Sequence, residues 1–415
     1  MNAATVSMPG ALAHVKVLDL SRVLAGPWAT QLLGDLGAEV IKIERPRSGD
    51  DTRAWGPPFV EDESGQRTGE SAYYMCANRN KRSLAVDLSQ PQGAQLVQAL
   101  AQQCDVLVEN FKTGGLQAYG LDYATLKALN PRLVYCSITG FGQDGPYAQR
   151  AGYDFLIQGM GGLMSVSGHA DGEAGGGPMK VGVALTDILT GLYASNAILA
   201  ALQARERTGA GQHIDLALLD VGVACLANQA MNYLYSGRVP DRMGNSHPNT
   251  VPYQDFPTAD GHMILAVGND GQFQRFCQAV GHANWANDAR FATNAARLDN
   301  RPLLVAEIAA LTQQRTTRQW VELLEQHAVP CGPINTIADV FADPQVQHRS
   351  MQLHMQHPQA GDVPLVASPL RLSGTPVQYR HAPPQLGQHT DEVLQQELGL
   401  SHQSIELLKT QGVVQ

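Results

Sequence analysis

The sequence predicts an α/β protein built on a parallel sheet with helices on both faces. Three observations carry this. Through residue 150, short apolar runs rich in Val, Ile and Leu alternate with stretches of helical periodicity. Glycine is plentiful at 41 residues, as many strand-to-helix turns require, while aromatics make up only 6%. Of the 415 residues, 44% are apolar, enough for one large domain and one smaller.

The elements follow in order. HVKVLDLS (14–21) reads as a strand, and GPWATQLLGDLGA (26–38) as a helix with Pro27 near its start, where proline is tolerated. VIKIER (40–45) is the second strand, and 46–82 a long loop of Pro, Gly and mixed charge. SLAVDL (83–88), the helix 91–104, DVLVENF (105–111), a helix around 122–129 and LVYCSITGF (133–141) continue the alternation. Two glycine clusters, 159–162 and 172–177, read as flexible connection. Val181–Leu185 is a short apolar strand or turn leading to a helix that stops at Thr208-Gly209-Ala210-Gly211. Residues 213–234 read as a strand running into a helix. From about 250 the texture changes to antiparallel strands turning at Asp260-Gly261, then helices near 271–280, 300–314 and 317–328, closed by VPCGPINTI (329–337). The tail from 364 to 378 is strand-like.

Composition excludes several functions. A net charge of −9 argues against nucleic acid as a general partner. The cysteines at 76, 104, 136, 225, 277 and 331 form no C-x-x-C pair, and the histidines no H-E-x-x-H, so no metal site is expected. The N-terminus lacks a signal peptide's basic start and apolar stretch. With no 18-residue apolar run evident, a membrane span is not expected, and the chain reads as cytoplasmic.

Asp187 is the leading candidate for chemistry. It is expected to open a helix, where unpaired N–H groups and the helix dipole would keep it ionised, as a carboxylate nucleophile requires. The plain reading is a helix cap. Lys42, Arg45, Arg47, Arg53, Arg79, Lys81 and Arg82 fall at strand ends and loops. There a parallel sheet gathers its ligand crevice, and cations suit a phosphate; surface solvation is the plain alternative. Glu44 ends the second strand, where a dinucleotide fold places its ribose-binding acid. However, the first turn is Ala25-Gly26-Pro27, without G-x-G-x-x-G, which argues against NAD or FAD. Asn110 and Phe111 end a strand as an amide and an aromatic that can meet a ligand or simply pack. Tyr153 and Asp154 follow a polar loop and have the same two readings.

Several long motifs stand in one order: LAGPWATQLLGDLGAEVIKIERPRSGDDTR, NRNKRSLAVDL, DVLVENF, LNPRLVYCSITGFGQDGP, D-x-x-T-G before AILAALQARERTGAGQHIDLAL, CGPINTIADVFADPQV and LGQHTDEVL. Together they resemble the class III CoA-transferases, a family that includes formyl-CoA and carnitine CoA-transferases and α-methylacyl-CoA racemases. The resemblance runs from about residue 14 to 400. It implies an interlocked homodimer with a Rossmann-like large domain (10–225, completed by 355–415). It also implies a smaller α+β domain (226–340), with linkers around 212–245 and 330–365 and CoA at the junction. Asp187 matches the family nucleophile in V-G-x-x-x-x-D-x-x-x-G. CoA contacts carry over to Leu24, Ala25, Arg45, Val86 to Ser89, Asn110, Phe111, Lys112, and Arg150 to Tyr153. No tightly bound cofactor is implied; CoA and acyl-CoA are substrates.

Two departures bear on phosphate binding: Ser89 and Ala118 stand where formyl-CoA transferase has basic contacts. The glycine-run loop of that enzyme is also missing, with VGNDGQF (267–273) a distant candidate. Tyr153 stands where racemases carry a histidine base, which favours transfer over isomerisation. Residues 249–270 look closest to transferases that use succinyl-CoA and small dicarboxylates. The expected reaction is CoA transfer to such an acid. A racemase-like isomerase and formyl-CoA:oxalate transfer are the alternatives. Arg53 and Arg242 are candidate partners for the acceptor's second carboxylate, and backbone N–H groups of the glycine segments are candidate oxyanion donors.

Overall fold

The computed structural model describes residues 9–62 and 64–415; the first eight residues of the N-terminal stretch expected to lack signal-peptide features lie outside them. The chain runs β1 (Lys16–Asp19), α1 (Ala25–Asp35), β2 (Glu39–Glu44), β3 (Phe59–Glu61), β4 (Arg67–Ser71), α2 (Ala72–Met75), β5 (Lys81–Ala85), α3 (Pro91–Ala101), β6 (Val106–Glu109), α4 (Tyr123–Leu129) and β7 (Val134–Thr139). It continues through α5 (Asp154–Met160), α6 (Leu163–Val166), α7 (Leu185–Thr208), β8 (His213–Ala217), α8 (Leu218–Ala224) and α9 (Ala227–Ser236). Then come β9 (Tyr253–Pro257), β10 (His262–Ala266), α10 (Asp270–Ala279), α11 (Asn294–Asp299), α12 (Arg301–Thr312), α13 (Thr317–Gln326) and β11 (Cys331–Pro333). The last elements are α14 (Ile337–Ala342), α15 (Pro344–His348), β12 (Gln352–His357), β13 (Gly361–Val366), α16 (Thr390–Leu398) and α17 (His402–Thr410).

Two compact units result: 1–163 with 181–230 and 347–415, and 164–180 with 231–346. The glycine-bearing segment 164–180 therefore sits in the second unit, not in the large domain to which 10–225 would assign it.

The first unit holds a six-stranded parallel sheet in the order β5-β2-β1-β6-β7-β8. The chain builds outward from β1 in one direction, then returns to β1 and builds outward in the other. This is the doubly wound, Rossmann-like arrangement, with a switch point between β1 and β6. The inner strands are buried on both faces, which explains their near-continuous apolar runs. Alternate residues feed two cores. Leu18, Ile41, Leu84, Leu107 and Tyr135 pack with Val97 of α3, Leu394 of α16 and Ile405 of α17. Val17, Val40, Val106 and Val134 pack with Leu33 of α1 and Ile198 of α7. A Cβ at Gly191 of α7 would lie 2.7 Å from the Ala25 carbonyl oxygen, so glycine is what lets the second turn of α7 approach the start of α1.

The second unit carries a three-stranded antiparallel sheet, β11-β10-β9, over a core that includes Phe256, Met263, Phe273, Phe276 and Trp320. Arg297, fully buried there, donates to the carbonyls of Val251 at 2.6 Å and Phe291 at 2.9 Å and pairs with Asp270 at 2.8 Å.

Several expectations are corrected. Residues 46–82 are not a long loop: they contain the β3–β4 hairpin and α2. The segment 329–337, expected to close the second domain, stays within the second unit and adds β11 to its sheet beside β10. The C-terminal hairpin is β12–β13, ending at Val366, so most of 364–378 is not strand. The helix after β8 breaks into α8 and α9. Among the described residues one helix, α7, is long and apolar enough by length and composition to cross a membrane, contrary to the expected absence of such a run. Its Ala194, Ile198 and Ala201 are buried in the sheet's core, as a core helix requires.

Candidate active site

The strands of the parallel sheet end along one crevice, and the candidate residues gather there. A cleft of about 1250 Å³ is lined by Arg45, Arg47, Val86, Ser89, Phe111 and Lys112, among others. A smaller cavity of about 140 Å³ is lined by Leu24, Ala25, Asn110, Phe111, Lys112, Arg150, Tyr153 and Asp187. Arg22, Phe111 and Lys112 belong to both, so the two share a wall. Asp187 and every residue to which CoA contacts carry over thus line one of two adjoining spaces, although they are drawn from six loops or helix starts.

The switch point organises this crevice. The Asn110 side chain accepts from the Arg22 N–H at 3.0 Å and donates to the Arg22 carbonyl at 2.7 Å, closing the β1 and β6 ends together. Ser89 is committed locally, its N–H and hydroxyl both donating to Asp87 Oδ1 at 3.0 and 2.6 Å. Ala118 is exposed in a short 3-10 turn and lines neither cavity.

Asp187 is the third residue of α7, not its cap. It is only 9% exposed. Among the described residues nothing donates a hydrogen bond to its carboxylate. Asp154 at the start of α5 holds the position expected of Asp187: its Oδ1 accepts the N–H groups of Thr186 at 2.8 Å and of Asp187 itself at 3.2 Å. Gln158, one turn along α5, donates to Asp154 Oδ2 at 2.7 Å and accepts the Val181 N–H at 2.9 Å, fixing the approach to α7. Burial, and next the neighbouring Asp154 charge, push the Asp187 carboxyl up to about 7. The expectation that the helix start favours its ionised form is therefore corrected: its surroundings favour the proton. The N–H groups that would stabilise its charge are already taken.

Tyr73 was missed by the sequence. Its phenol is pushed up to about 12 by burial and then by the Asp187 charge, which places it in the same surroundings, with Trp55 edge-on at 5.4 Å. Nothing in the local pattern of the 46–82 segment pointed to it, because its neighbours come from the fold of that segment.

The cation cluster needs the largest correction. Lys42 pairs with Asp50 at 2.9 Å, Arg79 with Asp35 at 2.5 Å and Lys81 with Asp19 at 3.0 Å, all buried. Arg82 binds Glu392 and Glu397 at 3.0 and 2.8 Å. Arg53 donates to Glu44 at 2.7 Å, Glu70 at 3.2 Å and the Tyr74 hydroxyl at 2.6 Å, which also removes Glu44 as a ligand acid. These side chains hold the sheet edge together and are not free for a ligand. Arg45 and Arg47 remain exposed on the large cleft. Arg242, in the second unit, pairs with Asp171 and donates to the Ser165 carbonyl. VGNDGQF is a helix start: Asn269 caps α10, and the Gly268 N–H donates to Gln272 Oε1 at 2.6 Å. Neither glycine cluster, 159–162 or 172–177, lines the Asp187 cavity.

Comparison with known proteins now bears on this crevice. Residues 12–390 match CoA-transferase family III. This chain belongs to that family. It is 53% identical over 383 residues to the succinate–glutarate CoA-transferase of Agrobacterium fabrum, covering 92% of this chain and 94% of that one. It is 44% identical over 403 residues to the human succinyl-CoA:glutarate CoA-transferase, covering 97% and 90%. The crystal structure of a CAIB/BAIF family protein from Brucella suis superposes with a TM-score of 0.82 at 50% identity, covering 94% of this chain and all of that one. The protein is a CoA-transferase, an enzyme whose substrates are CoA thioesters and carboxylates.

Proposed function

We propose that this enzyme moves CoA from succinyl-CoA to a small dicarboxylate, glutarate being the first acceptor to test, through acyl intermediates on Asp187. The observation that carries the reading is a nearly buried, unpartnered carboxylate in a small cavity that shares a wall with a much larger cleft. The cleft takes the long CoA moiety, with Arg45 and Arg47 facing its phosphates. The small cavity takes the reacting acyl group. Donor and acceptor classes follow from relatives named for succinyl-CoA and glutarate.

Asp187 attacks the thioester carbonyl; the new C–O bond forms as the C–S bond breaks and CoA leaves as thiolate. The thiolate then attacks the aspartyl carbonyl of this anhydride, releasing succinate and leaving an aspartyl-CoA thioester. The acceptor carboxylate displaces the thiolate, forming a second anhydride. Thiolate attack on the acceptor carbonyl yields the product thioester and returns Asp187. A carboxyl near 7 is a stronger base than an exposed aspartate, hence a better nucleophile, yet remains largely ionised above neutrality. Burial excludes the water that would hydrolyse an anhydride.

An interlocked homodimer is part of the reading. Met231, Leu234 and Tyr235 on α9 are 60%, 71% and 93% exposed, more apolar surface than one short helix leaves to water without a partner. Light scattering of the purified protein should return twice the chain mass.

A panel of acyl-CoA donors against dicarboxylic acids tests the substrate assignment. Succinyl-CoA with a four- to six-carbon diacid should give the highest kcat/KM. If formyl-CoA with oxalate, or a long-chain acid, wins by tenfold, about 1.4 kcal/mol of transition-state preference, the assignment is wrong.

A further inference from the structure

Each residue of the turn from Ser21 to Val23 is held by a side chain. Ser21 donates its N–H to Asp19 Oδ1 at 2.9 Å, and its carbonyl accepts from Lys42 Nζ at 2.9 Å. Arg22 exchanges both backbone groups with Asn110. Val23 donates its N–H to Asp50 Oδ1 at 3.2 Å. Asp50 is in turn fixed by Lys42 Nζ, which donates to its Oδ2 at 2.9 Å. Asp50 also accepts the Thr52 N–H and hydroxyl at 3.0 and 2.7 Å. The Thr52 contacts are those of an ordinary local cap; the Val23 contact reaches a turn 27 residues away.

Val23 needs such a hold. Its φ is +70°, in the left-handed region that a β-branched residue rarely occupies. Directly after it, α1 starts with no side-chain cap, and no acceptor among the described residues meets the Leu24 or Ala25 N–H. Pro27 contributes no N–H to this first turn. Leu24 and Ala25 line the same cavity as the buried, unpartnered Asp187 carboxylate.

We propose that Asp50 is a positioning residue for the transfer: it clamps Val23 in the left-handed conformation and thereby sets the open first turn of α1 beside the Asp187 cavity, where negative charge builds on the acyl oxygen. The inference rests on the reading of Asp187 as nucleophile. Backbone N–H groups at a helix start, under the positive end of its dipole, stabilise such charge when they are fixed before the reaction begins. A loose turn would bind substrate about as well and react more slowly.

The test is steady-state kinetics of the full-length enzyme with succinyl-CoA and glutarate, alongside circular dichroism. Asp50→Ala should lower kcat at least about 30-fold while the KM for succinyl-CoA stays within about threefold. Adding Val23→Gly should recover at least about tenfold of that loss, because glycine holds a positive φ without a clamp. If Asp50 merely balances the Lys42 charge, Val23→Gly restores nothing, and the proposal is overturned. Should Asp50→Ala fail to fold, Val23→Pro leaves Asp50 and Lys42 in place while forbidding the positive φ. Wild-type kcat in that variant overturns the proposal as well. Asp187→Ala is run in parallel: if it retains turnover, the nucleophile reading falls, whatever the Asp50 variants show.

Discussion

Asp154 Oδ1 accepts the N–H of Asp187 at 3.2 Å, so the carboxylate that stabilises the start of this helix is not the one that lines the small cavity. Two carboxylates meet one helix N-terminus, and only one receives its hydrogen bonds. Asp154 has the donors; Asp187 has the burial, and next the repulsion of its neighbour. The division leaves one acid as a fixed anchor and the other as a base of raised strength.

Asp154→Asn keeps an acceptor oxygen for the Thr186 and Asp187 N–H groups but removes the neighbouring charge. The Asp187 carboxyl should fall from about 7. The rising limb of kcat/KM against pH, expected near neutrality in the wild type, should move to lower pH. An unmoved limb in a folded variant would show that the neighbour's charge has no hold on Asp187.

Asp187→Asn should abolish transfer yet raise stability. The sign follows from linkage: the folded-state value of about 7 lies above the ordinary 3.8, so the folded protein binds this proton more tightly than the unfolded chain. Stability from this group is present below about pH 4 and is lost as pH rises through 7. The amide escapes that loss. At pH 8 the variant should be more stable by up to about 4 kcal/mol, the difference shrinking toward acid pH. Urea unfolding at pH 5, 6.5 and 8 measures it; a gap that widens toward acid contradicts the assignment.

The doubly wound sheet was legible because periodicity is a local property: Val17, Val40, Val106 and Val134 alternate with partners on the opposite face wherever a strand runs. That the candidate positions would gather in one crevice was legible because strand ends converge in any parallel sheet. Pairing was not. Whether Arg53 or Lys42 faces a ligand depends on where Glu44, Glu70 and Asp50 arrive, which no spacing along the chain discloses. The same holds for Asp187. A helix start is visible in sequence, but its capping by a carboxylate 33 residues away is not. The separation of 164–180 from its sequence neighbours is likewise tertiary: the Gly244 N–H donates to the Gly168 carbonyl at 3.0 Å, and Arg242 reaches Asp171.

With the buried cations spoken for, Arg45 and Arg47 carry the expected burden of CoA phosphate binding. Alanine at both positions should weaken CoA binding more than tenfold and reduce its salt dependence, since each removes an exposed charge from the cleft. Calorimetry at two ionic strengths reads both effects. Equal affinity of the double variant for CoA would move the phosphates elsewhere.

Arg53 was a candidate partner for the acceptor's second carboxylate, and its surroundings predict a different phenotype. Its guanidinium stacks 3.8 Å from the centroid of the Tyr74 ring, pairs with Glu44 and Glu70, and donates to the Pro384 carbonyl at 3.0 Å. It thus ties β2 and β4 to the C-terminal segment. Burial opposes its charge, but Tyr74 and the two carboxylates outweigh that and hold its pKa above the usual value. Arg53→Ala would leave Glu44 and Glu70 buried without their counter-charge, a loss on the order of 3–5 kcal/mol. The measurable result should be a lowered unfolding midpoint and poor soluble yield. A ligand-binding arginine would behave otherwise: the variant would fold normally and show a selectively raised KM for the dicarboxylate. Thermal melts and acceptor kinetics on the same preparation separate the two. A stable Arg53→Ala enzyme with only the acceptor KM raised would return Arg53 to the substrate pocket.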